Sequence, residues 1–118
     1  MSAPVVIVDS NRDGLEMYMT ALALEGIPAT AAASAGEALE VIARDQPRAL
    51  VTELRLPGTG GADLIRRVRS TVPSTYIVGL TAFEDANTRE AREAGCDIVL
   101  PLPCLPATLV RQLRRALG

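Results

Sequence analysis

Lysine and histidine are both missing from this 118-residue chain: all 12 of its basic residues are arginine. Without them there is no imidazole base, no phosphohistidine, no Schiff-base amine and no phosphate-loop lysine. Tryptophan is absent, and one Phe and two Tyr are the only aromatics, so Leu, Val, Ile and Ala must build the interior. Cysteine is nearly absent too. Cys96 and Cys104 have no metal-ligand spacing around them. They flank a predicted strand, too far apart for a bridge, and read as two reduced thiols. No apolar run is long enough to span a membrane and no signal-peptide pattern follows Met1, so a cytoplasmic location is expected. A net charge of -2 gives no electrostatic reason for nucleic-acid binding.

What is present is 48% hydrophobic and 22% charged, the composition of a globular domain. The whole of residues 1–118 is expected to form one domain. Five short apolar runs stand out: Pro4–Val8, Ile27–Ala32, Ala49–Thr52, Tyr76–Leu80 and Ile98–Leu100. Helical spacing fills the intervals: Leu15, Tyr18 and Leu22; Ala38, Leu39 and Ile42; Leu64, Ile65 and Val68; then Leu109, Leu113 and Leu117. This alternation predicts an α/β fold with a parallel sheet covered on both faces. Ser34-Ala35-Gly36-Glu37 and Thr81-Ala82-Phe83-Glu84 are capping-box patterns, and Ser10-Asn11-Arg12-Asp13 is a weaker one in which Ser10 reads as a helix cap. Asp85, Arg89 and Glu93 make a charge ladder at spacing four. Pro106 suits a first helical turn and Gly118 a helix end.

The stretches VVIVDSNRDGLEMY, GEALEVIARDQPRALVTELRLPGTGG, IVGLTA and EAGCDIVLPLP, taken in order, resemble the receiver domain of bacterial two-component response regulators. The resemblance runs over essentially the whole chain. It implies a flavodoxin-like (βα)5 fold, a five-stranded parallel sheet of order 2-1-3-4-5, with the site at the carboxyl ends of the strands. In that family two acids after the first strand and an aspartate ending the third hold Mg²⁺, and the third-strand aspartate accepts the phosphoryl group. A hydroxyl on the fourth strand and a lysine before a cis-proline after the fifth hold the phosphoryl oxygens.

Residue by residue, the match is mixed. Asp9 keeps the first acid and Ser10 replaces the second. Glu53 stands at the phosphoacceptor position. Thr81 keeps the hydroxyl, with the small Ala82 after it. Leu102 replaces the lysine, while Pro103 keeps the proline, so the Leu102–Pro103 bond is expected to be cis. Val99 replaces the aromatic switch residue. Gly61 keeps the turn glycine, and Gly60 replaces the acid often found before it. Phosphoryl transfer rests on positioning and on cations that neutralise the phosphoryl oxygens. Losing the lysine and one metal-holding acid weakens both, and the extra methylene of Glu53 moves its carboxylate outward by up to about 1.5 Å.

The expectation is therefore an atypical, pseudo-receiver: no enzyme, but a phosphorylation-independent protein-interaction module. Its degenerate pocket comprises Asp9, Ser10, Glu53, Arg55, Thr81, Leu102 and Pro103, and Mg²⁺ binding through Asp9 and Glu53 is weak or lost. Arg55, two residues after Glu53, either substitutes internally for the metal or points to solvent. Two other readings stand beside this one: a still-phosphorylatable receiver with Glu53 as acceptor, and a small-ligand binder reusing the pocket. Expected partners are a kinase, regulator or effector protein. A homodimer through the fourth and fifth helices, where Arg89, Arg92, Arg111 and Arg114 lie, is a further expectation. Neither nucleic acid nor membrane is an expected partner. Leu54, Leu56, Phe83, Leu102 and Leu105 are candidates for an apolar rim around the pocket.

Overall fold

The computed structural model describes residues 4–58, 60–82 and 86–118, without the side chains of residues 86 and 87. Among the described residues, strands and helices alternate five times. The order is β1 (Val5–Val8), α1 (Arg12–Leu24), β2 (Ala29–Ala32), α2 (Ala35–Asp45), β3 (Ala49–Glu53), α3 (Gly61–Thr71), β4 (Tyr76–Thr81), α4 (Ala86–Ala94), β5 (Ile98–Pro101) and α5 (Pro106–Leu117). All strands run parallel in the order β2-β1-β3-β4-β5, as expected.

Alternation within the strands divides the interior in two, because successive strand side chains point to opposite faces. Val6, Val8 and Leu50 pack with Ile42, Leu64, Ile65 and Val68 of α2 and α3. Val5, Ile7, Ala49 and Val51 face the other way, onto Tyr18 and Leu22 of α1 and Leu109, Val110 and Leu113 of α5. β1 is buried along its whole length, which explains its unbroken apolar run.

The strand limits differ from the apolar runs in ways the backbone explains. β2 starts at Ala29 rather than Ile27. The Ile27 N–H is spent closing α1 on the Leu22 carbonyl at 2.9 Å, and Pro28 has no N–H to give a ladder. β3, β4 and β5 each extend one residue further than the runs, to Glu53, Thr81 and Pro101. Two of these ends, Glu53 and Thr81, carry polar residues of the site.

The helix starts follow the cap signals with one correction. Ser34 caps α2 by accepting from Glu37 N at 3.2 Å, and Glu37 Oε2 accepts in return from Ala33 N at 2.7 Å. α1 is capped by Asn11 and not by Ser10: Asn11 Oδ1 accepts from Gly14 N at 3.0 Å. The Ser10 hydroxyl is turned to Glu53 instead. Pro106 lies in the first turn of α5, and Gly118, at φ 82°, closes it. The box at Thr81–Glu84 and the ladder beginning at Asp85 involve positions outside the described residues. Both cysteines are free, and burial raises both thiol pKa values. No helix among the described residues is long and apolar enough to cross a membrane.

Candidate functional site

Strand register gathers the site. Val8 pairs with Thr52 and Glu53 with Leu80, so Asp9 and Glu53 leave the sheet side by side. Thr81 pairs with Pro101, and Leu102 N donates to Thr81 O at 2.8 Å. The Leu102–Pro103 bond is cis, as expected. The ends of β1, β3, β4 and β5 thus bring Asp9, Ser10, Glu53, Arg55, Thr81, Leu102 and Pro103 to one edge of the sheet.

Asp9 is held from two sides. Its Oδ1 accepts from Asn11 N at 2.8 Å, a local turn that leads directly into α1. Its Oδ2 lies against Gly14, where a Cβ would sit only 2.7 Å from that oxygen. The carboxylate thus occupies the space a side chain at position 14 would need, over the first turn of a helix whose dipole favours an anion. Burial raises the Asp9 pKa above the usual carboxylate value, and nearby Glu53 raises it further; the Asn11 N–H pulls the other way.

Glu53 is half-buried at the end of an otherwise buried strand. Its Oε1 accepts from Ser10 N at 2.8 Å and also from the Ser10 hydroxyl. Below it the chain turns tightly: a Cβ at Gly61 would lie 2.7 Å from both Glu53 O and Leu54 Cα. Glycine at position 61 is therefore required by packing of α3 against the end of β3.

Beside Glu53 opens a cavity of about 200 Å³, lined by Glu53, Arg55, Leu80, Thr81, Ala82 and Leu102. Arg55 is exposed on its rim, and Ser10 donates two hydrogen bonds to Glu53. Thr81 is buried. Val99 packs half-buried beside the core under α2 and α3.

The expected apolar rim needs correction. Leu54 and Leu56 are buried in the core rather than exposed, with the Leu54 side chain packed over Gly79. They contribute to folding, since the loop after β3 turns inward toward α3. Leu102 is half-buried and Leu105 is 68% exposed, so these two do stand at the rim. Phe83 lies outside the described residues.

Two relationships were not readable from the sequence. One is the double hydrogen bond from Ser10 to Glu53. The other is Tyr18, whose hydroxyl donates to Cys104 O at 2.8 Å and ties α1 to the loop that carries Pro103 and Leu105. Spacing placed Tyr18 on the buried face of α1, but the partner of its hydroxyl is 86 positions away.

A doubly wound parallel sheet with this strand order, acids beyond its first and third strands, a hydroxyl on its fourth and a cis X-Pro bond after its fifth defines a receiver-type domain. The chain belongs to the response regulator receiver domain family, whose model matches residues 5–114. It is 35% identical over 118 residues to Response regulator MprA of Mycobacterium ulcerans (strain Agy99), covering 99% of this chain and 51% of that protein. The chain therefore spans about half the length of the curated relatives it matches. Among solved structures, the chemotaxis response regulator CheY4 of Vibrio cholerae is 25% identical with a TM-score of 0.88, covering 98% of this chain and 99% of that one. A CheY-like receiver domain protein from Methanospirillum hungatei JF-1 shares the fold at a TM-score of 0.93 and 24% identity, covering 99% and 94% of the two chains.

Proposed function

We propose that this domain is a pseudo-receiver in two-component signalling, a cytoplasmic, non-enzymatic module that works by protein contact without being phosphorylated. The observation that carries this reading is the pair of hydrogen bonds from Ser10 to Glu53 Oε1. They hold one oxygen of the side chain at the phosphoacceptor position against the end of β1.

The donor chemistry supports the same reading. Mg²⁺ takes hard oxygen ligands, usually one or two carboxylates together with substrate phosphate and water. Here one oxygen of Glu53 is already occupied, and Ser10 is neutral and donates its proton toward Glu53. Burial raises the Asp9 pKa above the usual carboxylate value. The set fits the ion poorly. Leu102 offers no charge for phosphoryl oxygens. The volume of about 200 Å³ also falls below the roughly 300–1,000 Å³ of small-molecule pockets, which weighs against a nucleotide or flavin.

Incubation with acetyl phosphate and Mg²⁺ should leave the intact mass unchanged. A stoichiometric gain of one phosphoryl group would overturn the pseudo-receiver reading and favour Glu53 as an active acceptor.

The partners proposed are kinase, regulator or effector proteins, and a second copy through α4 and α5. For the dimer, Arg111 is the informative position. It is exposed on α5, whereas Arg114 already pairs with Glu25 within the chain at 3.1 Å. Arg111→Glu should shift the sedimentation profile, and an unchanged profile would remove this helical surface as the dimer contact.

A further inference from the structure

Helix α4 is anchored differently from its neighbours. Among its described side chains only Thr88, Ala91 and Ala94 are buried, and Arg89, Glu90, Arg92 and Glu93 are exposed. By contrast α3 buries Leu64, Ile65 and Val68, and α5 buries Leu109, Val110 and Leu113. Hydrophobic stabilisation grows with the apolar area removed from water. Two alanines and a threonine therefore hold α4 far less firmly than leucine and valine hold its neighbours. The strand that follows, β5, lies at the edge of the sheet and pairs only with β4. Each of its residues is half-buried or exposed.

A single guanidinium fastens the carboxyl end of α4. Arg69 of α3 reaches the turn between α4 and β5, and each of its five N–H groups has an acceptor. Nε and Nη2 both donate to Gly95 O, at 3.1 and 2.6 Å, and Nη2 also donates to Asp97 Oδ2 at 2.8 Å. Nη1 donates to Pro73 O and Thr75 O, at 2.7 and 2.9 Å, on the way into β4. Asp97 Oδ2 accepts from Ile77 N at 2.7 Å as well, which ties the turn to β4 directly. Gly95, at φ 113°, permits this approach, since a Cβ there would stand 3.1 Å from Arg69 Cγ. The cation also lies against carbonyls just past the ends of α3 and α4, where helix dipoles favour positive charge.

We propose that Arg69 is a clamp that holds a separable unit, α4 with the turn at residues 95–97, closed against α3 and β4. The unit opens by releasing the guanidinium while the rest of the chain stays folded. A partner meeting α4 finds a clamped and a released state, and shifts their balance by the difference in its affinity for the two. The inference goes beyond the pseudo-receiver reading and does not depend on whether Glu53 accepts a phosphoryl group.

The test is native-state hydrogen exchange at low, non-denaturing urea. The amides of Gly95, Cys96 and Ile77, bonded to Arg92 O, Ala91 O and Asp97 Oδ2, report on the unit. They should exchange through an opening that depends little on urea, whereas the amides of Leu50 and Leu113 in the core follow global unfolding. Arg69→Met keeps the aliphatic stem and removes the donors. It should speed exchange at Gly95, Cys96 and Ile77 by at least about tenfold, because the released state has already lost these charge-assisted bonds. Arg69→Lys, with the charge but not the planar fork, should fall between the two. Should Arg69→Met not fold, Asp97→Asn supplies the reading, since it removes the ionic acceptor and should speed the same amides by a smaller factor. Exchange of the three amides only together with the core, at the same urea dependence, would overturn the separable unit. Unchanged exchange in Arg69→Met, or in Asp97→Asn where that variant stands in, would overturn the clamp. Neither result alters the outcome with acetyl phosphate, so failure here is distinct from failure of the pseudo-receiver reading.

Discussion

Ser10 gives both its backbone N–H and its hydroxyl to a single oxygen of Glu53, 43 positions further along the chain. Removing the hydroxyl in Ser10→Ala leaves the 2.8 Å backbone bond. A net hydrogen bond contributes about 0.5–1.5 kcal/mol, and Ser10 is exposed to competing water, so the loss should lie near 0.5 kcal/mol. Urea denaturation measures it. A loss above about 2 kcal/mol would mean that Ser10 supports more than Glu53.

Restoring phosphorylation should need several changes together. Glu53→Asp alone leaves a leucine where a cation is wanted and a serine where an acid is wanted. The triple variant Glu53→Asp, Ser10→Asp, Leu102→Lys should recover at least part of the mass gain with acetyl phosphate and Mg²⁺. Recovery by the single change would show that the glutamate's length was the whole defect.

Gly14 and Asp9 should be energetically coupled. An alanine in a helix interior is ordinarily about 1 kcal/mol better than glycine, yet here its Cβ would stand 2.7 Å from Asp9 Oδ2. Gly14→Ala should therefore gain nothing in the native background. In an Asp9→Ala background the full gain of about 1 kcal/mol should return. Additive denaturation midpoints across the four chains would rule out the contact.

Tyr18 supplies a pH dependence with a definite sign. Burial, before any charge effect, pushes its phenol from 10.0 up to about 12. The unfolded chain thus loses this proton first. The stability Tyr18 contributes is complete below pH 10 and is lost as pH rises toward about 12. Tyr18→Phe should remove that part of the alkaline decline. It should also cost about 1–3 kcal/mol at neutral pH, because the Cys104 carbonyl is left buried and unpaired. An alkaline profile identical in the two proteins would place the titrating group elsewhere.

Much of this was readable from residue patterns. The apolar runs found all five strands because a parallel sheet covered on both faces leaves no polar alternation to confuse them. Strand ends were less legible. Glu53, Thr81 and Pro101 continue the ladder by backbone pairing alone, which side-chain polarity does not report. Leu54 and Leu56 looked like rim residues because they sit in a glycine- and proline-rich loop. They are buried because Gly61 lets α3 close down on the end of β3. Ser10 had the right chemistry for a cap, but Asn11, one residue later, is better placed for the Gly14 N–H. The hydroxyls of Ser10 and Tyr18 both find partners far along the chain, and no local pattern records such partners.

The tie from Tyr18 to Cys104 has a consequence for the order in which the chain acquires its shape. It joins residues 86 positions apart, and Arg114 with Glu25 and Arg48 with Leu117 close loops of 89 and 69 positions. All three engage the last fifteen residues, which also supply Leu109, Val110 and Leu113 to one of the two interior layers. As the chain leaves the ribosome, β1 and α1 emerge first but must keep one apolar flank uncovered until α5 follows. Separations of this size slow folding, since loop entropy is lost before contacts compensate it. The first half of the molecule is in this sense made to wait for its end, and Val5, Ile7 and Leu22 are the residues a chaperone would meet meanwhile.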